Sequence, residues 1–126
     1  MAEQKPFQHH RWTNVPEEPL KGTITRRMIT GERTMIAQIV LKKGDFVPQH
    51  FHHNEQVTYI ISGALLFHLG AKGEHELIVR AGEVLVIPSN LPHSARALED
   101  TLDVDVFTPP REDWLNKTDD YLRKDT

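Results

Sequence analysis

Between Gly44 and Gln56 the chain reads Gly44-Asp45-Phe46-Val47-Pro48-Gln49-His50-Phe51-His52-His53-Asn54-Glu55-Gln56, and three of its eight histidines stand in this one segment. If the segment is extended, side chains alternate, so His50 and His52 share a face while Phe51 takes the other. Two imidazoles on one face are half of a transition-metal site, and a glutamine follows four residues after the second. The chain contains no cysteine. Disulfides, thiolate ligands and thiol nucleophiles are thereby removed, leaving His, Asp, Glu and Gln to hold any metal. A second segment, Gly82-Glu83-Val84-Leu85-Val86-Ile87-Pro88-Ser89-Asn90-Leu91-Pro92-His93, opens a strand with a glycine and the next strand with a histidine.

Such side chains need a rigid frame. From Gly22 onward the chain breaks into short runs of Val, Ile, Thr and aromatics, punctuated by Gly, Pro or Asn at intervals of roughly 8 to 12 residues, the pattern of an all-β sandwich or barrel. Strands are expected near 23–29, 35–41, 48–52, 56–61, 64–69, 76–79, 84–88, 93–98 and 102–107. Residues 1–20, with Pro6, Pro16 and Pro19, show neither helical nor strand periodicity and read as an N-terminal arm. Residues 21–110 form the barrel. After Pro109-Pro110, the spacing of Trp114, Leu115, Thr118, Tyr121 and Leu122 predicts a short amphipathic helix within 111–126 that packs across one end.

The total of 126 residues suits one domain. No run of about 18 apolar residues could span a bilayer, and the first residues lack the apolar core of a signal peptide, so no membrane partner and a cytoplasmic setting are expected. A net charge of −3 with intermixed signs gives no basic field for nucleic acid.

The two histidine segments have the forms G-x5-H-x-H-x3-Q-x6-G, over 44–63, and G-x5-P-x-N-x2-H, over 82–93. This pair resembles the two sequence motifs of the cupin superfamily. The resemblance implies an all-β, single-domain, jelly-roll-like cupin β-barrel with a short C-terminal helix, and one divalent transition metal held by His50, His52, Gln56 and His93. Two positions depart from the usual pattern. Asn90 stands where glycine is common, and asparagine tolerates the left-handed backbone needed there. Gln56 stands where glutamate is common, and a neutral amide leaves the full charge of the ion uncompensated, a better Lewis acid and anchor for a small anionic substrate. Zn, Ni, Mn, Fe or Co would each suit this set. His53 and Glu55 remain alternatives to Gln56 should the loop be one residue out of register. His68 could reach the interior from its strand, whereas His75 reads as exposed.

In Leu102-Asp103-Val104-Asp105-Val106-Phe107, alternation separates Asp103, Asp105 and Phe107 from Leu102, Val104 and Val106, so one face carries acids and the other packs in an apolar layer. In a barrel the acid face can be the cavity. A carboxylate beside a metal but not bound to it suits general acid or base work, and Arg111 beyond the proline corner could clamp a substrate carboxylate. The motif Asp105-Val106-Phe107-Thr108-Pro109-Pro110-Arg111-Glu112-Asp113, with Ile87-Pro88-Ser89-Asn90-Leu91-Pro92-His93, is similar to the small single-domain cupins of the pectin-degradation type. That resemblance implies a metal-dependent isomerase that opens an unsaturated uronate to its linear keto form, with Asp105, Phe107 and Arg111 as catalytic residues. A metal-dependent cupin oxygenase and a non-catalytic metal- or sugar-binding cupin are the alternatives. A polyketide-cyclase-like enzyme would want an aromatic cavity, against which the aromatic share of 7% counts. A homodimer, joined through the arm or a barrel face, is expected.

Overall fold

The computed structural model describes residues 6–123, which form two antiparallel sheets around one core. The strands are β1 (Glu18–Pro19), β2 (Thr25–Thr30), β3 (Met35–Leu41), β4 (Phe46–His50), β5 (Glu55–Ser62), β6 (Ala64–Leu69), β7 (His75–Arg80), β8 (Val84–Ile87), β9 (His93–Ala97) and β10 (Thr101–Thr108). Six of them make one sheet in the order β1-β2-β3-β10-β5-β8, and four make the other in the order β4-β9-β6-β7. Non-consecutive neighbours such as β3, β10 and β5 are what bring residues far apart in sequence onto one surface. No helix among the described residues is long and apolar enough to cross a membrane.

Period-2 patterning explains the layers. In β3, Met35, Ala37, Ile39 and Leu41 are buried while Ile36, Gln38 and Val40 between them are half-buried, the inside and outside faces of a strand. Every strand expected from the sequence forms, with ends shifted by one or two residues, and the two-residue β1 adds an edge at the end of the arm. In β10 the alternation runs as expected, with Asp103, Asp105 and Phe107 buried. Leu102, Val104 and Val106, however, are only half-buried on the outer face and lie under no second layer.

The C-terminal helix is shorter than its spacing suggests. A single turn, α1 (Glu112–Leu115), ends where Lys117 adopts a φ of 58°, and a separate 3-10 turn follows at Asp120–Leu122. Trp114 and Leu122 still bury, but Leu115 is left 43% exposed. Ion pairing accounts for the break. The guanidinium of Arg26, fully buried on β2, donates to Asp119 at 2.9 Å and to Glu18 at 2.6 Å. A continued helix would leave that buried cation without Asp119, a loss larger than a turn of helix can offset. Arg123 closes the network onto Glu18 at 2.8 Å and Asp119 at 2.8 Å, and Lys117 reaches Glu18 at 3.1 Å. Residues 112–123 are thus a strap fastened across one end of the sheets.

Burial would raise the Glu18 carboxyl, but hydrogen bonds from Arg123 and Arg26 outweigh it and hold the group at about 2. A carboxyl depressed on folding contributes stability above its unfolded value and loses it as pH falls through the folded one. Wild-type stability is therefore expected to fall between about pH 4.5 and pH 2 in part through Glu18. Glu18→Gln should flatten that segment in pH-dependent chemical denaturation and cost about 1 kcal/mol at pH 7 after solvent screening; an unchanged acid profile would mean the latch carries no such energy.

Candidate metal centre and its cavity

His50 ends β4 and His52 lies two residues beyond it, where the alternation persists: both are half-buried and Phe51 between them is 67% exposed. His93 opens β9 and pairs with His50 in the sheet register. One ring nitrogen from each of the three histidines lies within 4.8 Å of the others. Each ring is held by its Nδ1, which bonds a carbonyl two residues away: His50 to Pro48 at 2.8 Å, His52 to Asn54 at 3.0 Å and His93 to Leu91 at 2.8 Å. A carbonyl can only accept, so each Nδ1 carries the proton and each Nε2 is left with its lone pair, the state a metal ligand needs.

The Nε2 atoms of His52 and His93 are buried and have no hydrogen-bond partner. Leaving a buried polar nitrogen unpaired costs about 1 to 3 kcal/mol, and two of them aimed into one small space fit a cation better than they fit a packed core. Burial, helped by the neighbouring His93, pushes His50 down to about 3; burial and the charge of Arg111 push His52 down to about 4; burial also lowers His93. All three are neutral at physiological pH and need lose no proton to bind an ion. The three histidines of this set could hold a divalent metal.

Gln56, on β5, is buried and lines the same cavity as His50 and His93. Its Nε2 donates to Thr58 Oγ1 at 2.8 Å, and Thr58 Oγ1 donates to Asp105 Oδ1 at 2.7 Å. With the amide nitrogen engaged, its oxygen is the atom left to ligate. His53 and Glu55 are both exposed, so neither takes the place of Gln56. His68 does not reach the interior: it turns outward to Glu76 at 3.4 Å. His75 is exposed as expected.

Asp103 and Asp105 are both buried side by side on the inner face of β10. Burial raises both carboxyls, Asp103 well above the usual range with the charge of Asp105 adding to it. The pair keeps at least one proton at neutral pH. Arg111 is 1% exposed, and most of its fork is engaged: Nε and Nη2 donate to Asp113 at 2.9 and 2.7 Å, and Nη2 also donates to the Tyr121 hydroxyl at 2.7 Å. Only Nη1 is without a partner. Phe107 lies edge-on to His52 and to Trp114, with centroids 5.7 and 4.8 Å apart, and walls the space between imidazole and guanidinium.

Three residues matter here that sequence reasoning did not assign. Asn54 donates through Nδ2 to the carbonyls of Pro109 at 2.6 Å and Pro110 at 3.2 Å, tying the first histidine loop to the corner that carries Arg111. Thr58 links Gln56 to Asp105, and its two-residue offset from Gln56 on one strand was a readable signal. Tyr121 stacks on His50 with centroids 4.1 Å apart. Asp103, on the acid face expected from the alternation of β10, doubles the acid. The second motif is fastened to the first by the backbone: Asn90, in the left-handed conformation at φ 66°, donates its N–H to the His52 carbonyl at 2.8 Å. The cavity lined by His50, Gln56, His93, Asp105, Arg111 and Tyr121 measures about 50 Å³, and away from these polar groups its walls are apolar, among them Leu41, Leu65 and Phe67.

Solved structures similar to this one include KdgF from Halomonas sp., which matches at a TM-score of 0.78 and 23% identity over 86% of this chain and 99% of that one. An RmlC-like cupin from Shewanella frigidimarina matches at a TM-score of 0.72 and 26% identity over 90% of this chain and 99% of its own. A single-residue variant of oxalate decarboxylase from Bacillus subtilis matches at 0.70 and 23% over 85% of this chain and 31% of that one. By sequence, 3-hydroxyanthranilate 3,4-dioxygenase of Rattus norvegicus is 30% identical over 54 residues, 42% of this chain but only 19% of that enzyme's length. The model of the cupin domain matches residues 37–108, more than half of the chain and inclusive of both histidine segments and the acid strand. With a three-histidine cluster in the cavity between two antiparallel sheets, the chain belongs to the cupin family.

Proposed function

We propose that the protein is a metal-dependent enzyme that moves a proton on a small anionic substrate, of the unsaturated uronate type, without net oxidation. The observation that carries this is the chain Gln56 to Thr58 to Asp105: a buried carboxyl with a raised pKa connected by two hydrogen bonds to the residue next to the histidine set. In this reading His50, His52, His93 and the amide oxygen of Gln56 hold one divalent transition metal, and Arg111 and Phe107 border the reacting atoms. When bound, the ion would supply Lewis-acid polarisation of a carbonyl or hydroxyl oxygen. Asp105 accepts or donates the proton, and Asp103 beside it favours the protonated form until substrate arrives. The unpaired Nη1 of Arg111 meets a carboxylate oxygen, while Asp113 and Tyr121 keep the fork from turning. Tyr121 shields His50 from solvent. A space of about 50 Å³ is much smaller than the pockets that take a sugar-sized ligand, so binding a sugar acid requires the strap that carries Tyr121 to move outward.

A second reading is favoured by one observation, the apolar and aromatic character of the cavity wall. Phe67, Phe107, Trp114 and Tyr121 all line it, so the low overall aromatic content is a poor guide to the site. Such a wall suits oxygen and a less hydroxylated substrate, and an oxygenase would need air where the isomerase would not.

Protein purified without chelator should carry about one equivalent of divalent metal, and His93→Ala should abolish it in elemental analysis. Adding metal to chelated wild type at 100 times its dissociation constant should stabilise the fold by about 2.7 kcal/mol; no metal and no thermal shift under any condition would sink the reading. Asp105→Asn should lower kcat by about 10² to 10⁴ while metal content stays at the wild-type level, measured as anaerobic loss of ultraviolet absorbance of an unsaturated uronate. Turnover that survives this substitution, or that requires oxygen, would remove Asp105 from the proton-transfer role.

A further inference from the structure

Arg111 is held on one flank only. Asp113 takes that flank with two parallel hydrogen bonds, from Nε at 2.9 Å and Nη2 at 2.7 Å. A guanidinium is planar and its N–H directions are fixed, so this pairing uses the Nη2 hydrogen nearest Nε. The other Nη2 hydrogen points off the end of the fork, parallel to a hydrogen of Nη1. That end is a second bidentate seat for a carboxylate. Tyr121 takes half of it: its hydroxyl accepts from Nη2 at 2.7 Å, and the Trp114 indole donates to the same oxygen from Nε1 at 3.2 Å. The other half, Nη1, is buried without a hydrogen-bond partner. Behind the hydroxyl, the phenol ring stacks on His50 with centroids 4.1 Å and planes 19° apart. Tyr121 thus stands between the fork and the histidine set as a six-membered ring with an oxygen at its far end.

We propose that Tyr121 is a removable stand-in for the ligand: its hydroxyl holds the place of one oxygen of a substrate carboxylate, which takes over the Arg111 and Trp114 donors when Tyr121 leaves. This rests on the reading of the cavity as an anion site. It adds a second binding residue, Trp114, and a residue that sets the affinity threshold, Tyr121. The donors are built to stay. Trp114 is buried, with the Arg26 guanidinium 4.2 Å from its ring centroid and Phe107 edge-on at 4.8 Å, and Asp113 keeps Arg111 in place. The turn Asp120–Leu122 is set apart from that cluster by Lys117, at a φ of 58°. It lies between two fastenings, Asp119 on Arg26 and the Leu122 carbonyl on the Lys21 N–H at 2.8 Å. Rearrangement of this turn releases the ring and leaves both donors lining the cavity. Hydrogen-bond strength selects the occupant. A phenol is neutral at physiological pH, whereas a carboxylate is charged and meets both Nη atoms and the indole N–H with stronger bonds. A neutral hydroxyl gains nothing over the phenol it would replace, so it is kept out.

The test is calorimetric binding of two unreactive probes, D-galacturonate and the neutral D-galactose, to the zinc-loaded full chain. Galacturonate is expected to bind wild type and galactose to fail. Tyr121→Phe keeps the stacked ring and removes the oxygen, which leaves two buried donors unsatisfied in the closed state. Galacturonate should therefore bind about 10-fold tighter. Trp114→Phe should weaken binding about 3-fold in the wild-type background, where the indole only exchanges one acceptor for another. In the Tyr121→Phe background, where the indole gains an acceptor, the loss should be about 10-fold, whereas a merely structural role gives equal losses. Should Trp114→Phe lose the fold, the contact is read directly in Trp12→Phe, whose one remaining indole is Trp114. There galacturonate should shift the indole N–H resonance downfield and galactose leave it in place. Galacturonate bound no tighter by Tyr121→Phe than by wild type, equal losses in the two backgrounds, or an unmoved resonance would each overturn the proposal. None of these readouts needs turnover, so a protein that binds galacturonate in this pattern but leaves an unsaturated uronate intact would sink the isomerase reading and uphold this one.

Discussion

Bringing three imidazole lone pairs within 4.8 Å of one another is unfavourable unless something positive stands between them. Most of the architecture can be derived from the need to hold that arrangement without a proton. A backbone carbonyl two residues away fixes each tautomer, and burial disfavours the charged imidazolium. The Asn90 N–H to the His52 carbonyl then fastens the second motif to the first. Each of these contacts comes from backbone, in loops for His52 and His93 and at the end of β4 for His50, not from another side chain. The ligand geometry is therefore set by local backbone conformation.

The inner face of β10 carries the complementary constraint. A strand between β3 and β5 would ordinarily bury only apolar side chains, yet this one buries two carboxyls. Thr58 gives Asp105 one hydrogen bond, and Asp103 retains an oxygen without a partner. An unpaired buried carboxylate is among the costliest groups a core can hold, so the pair lowers the cost by keeping a proton. Packing alone would favour Val or Leu at both positions. Local violation of the burial rule beside a ligand cluster is where chemistry is expected, because stability is given up there for function.

How much of this was legible in the chain follows from the range of each interaction. Alternation in β3 and β6 gave their bounds outright, and His50, His52 and His93 were readable because their spacing reflects the local geometry of two turns. The strap was not. Trp114, Leu115, Tyr121 and Leu122 have helical spacing, but Arg26, some ninety residues earlier, draws Asp119 into a buried pair and breaks the helix after one turn. Tyr121 on His50 and Asn54 on the proline corner are likewise long-range contacts whose residue types carry no local signal. The outer face of β10 misled for a different reason: Leu102, Val104 and Val106 look like core, yet they are only half-buried, because a pattern of apolar residues cannot say which of two faces a layer covers.

Electrostatics connects the two ends of the cavity and bears on what it can bind. Arg111 places a permanent positive charge near His52 and the Asp pair, and its fork is already shared with Asp113 and Tyr121, which leaves one N–H direction open toward the interior. Gln56 contributes no charge, and Asp103 with Asp105 retains a proton. A divalent cation on the histidines would thus sit in a site whose protein groups do not neutralise it. In a small cavity with largely apolar walls, that excess would be screened less than in water. A neutral ligand would leave the excess in place, whereas a carboxylate lying between the ion and Nη1 would cancel it. In the reading proposed above, that charge balance would by itself favour a small anion, before any hydrogen bond to the rest of the substrate is counted.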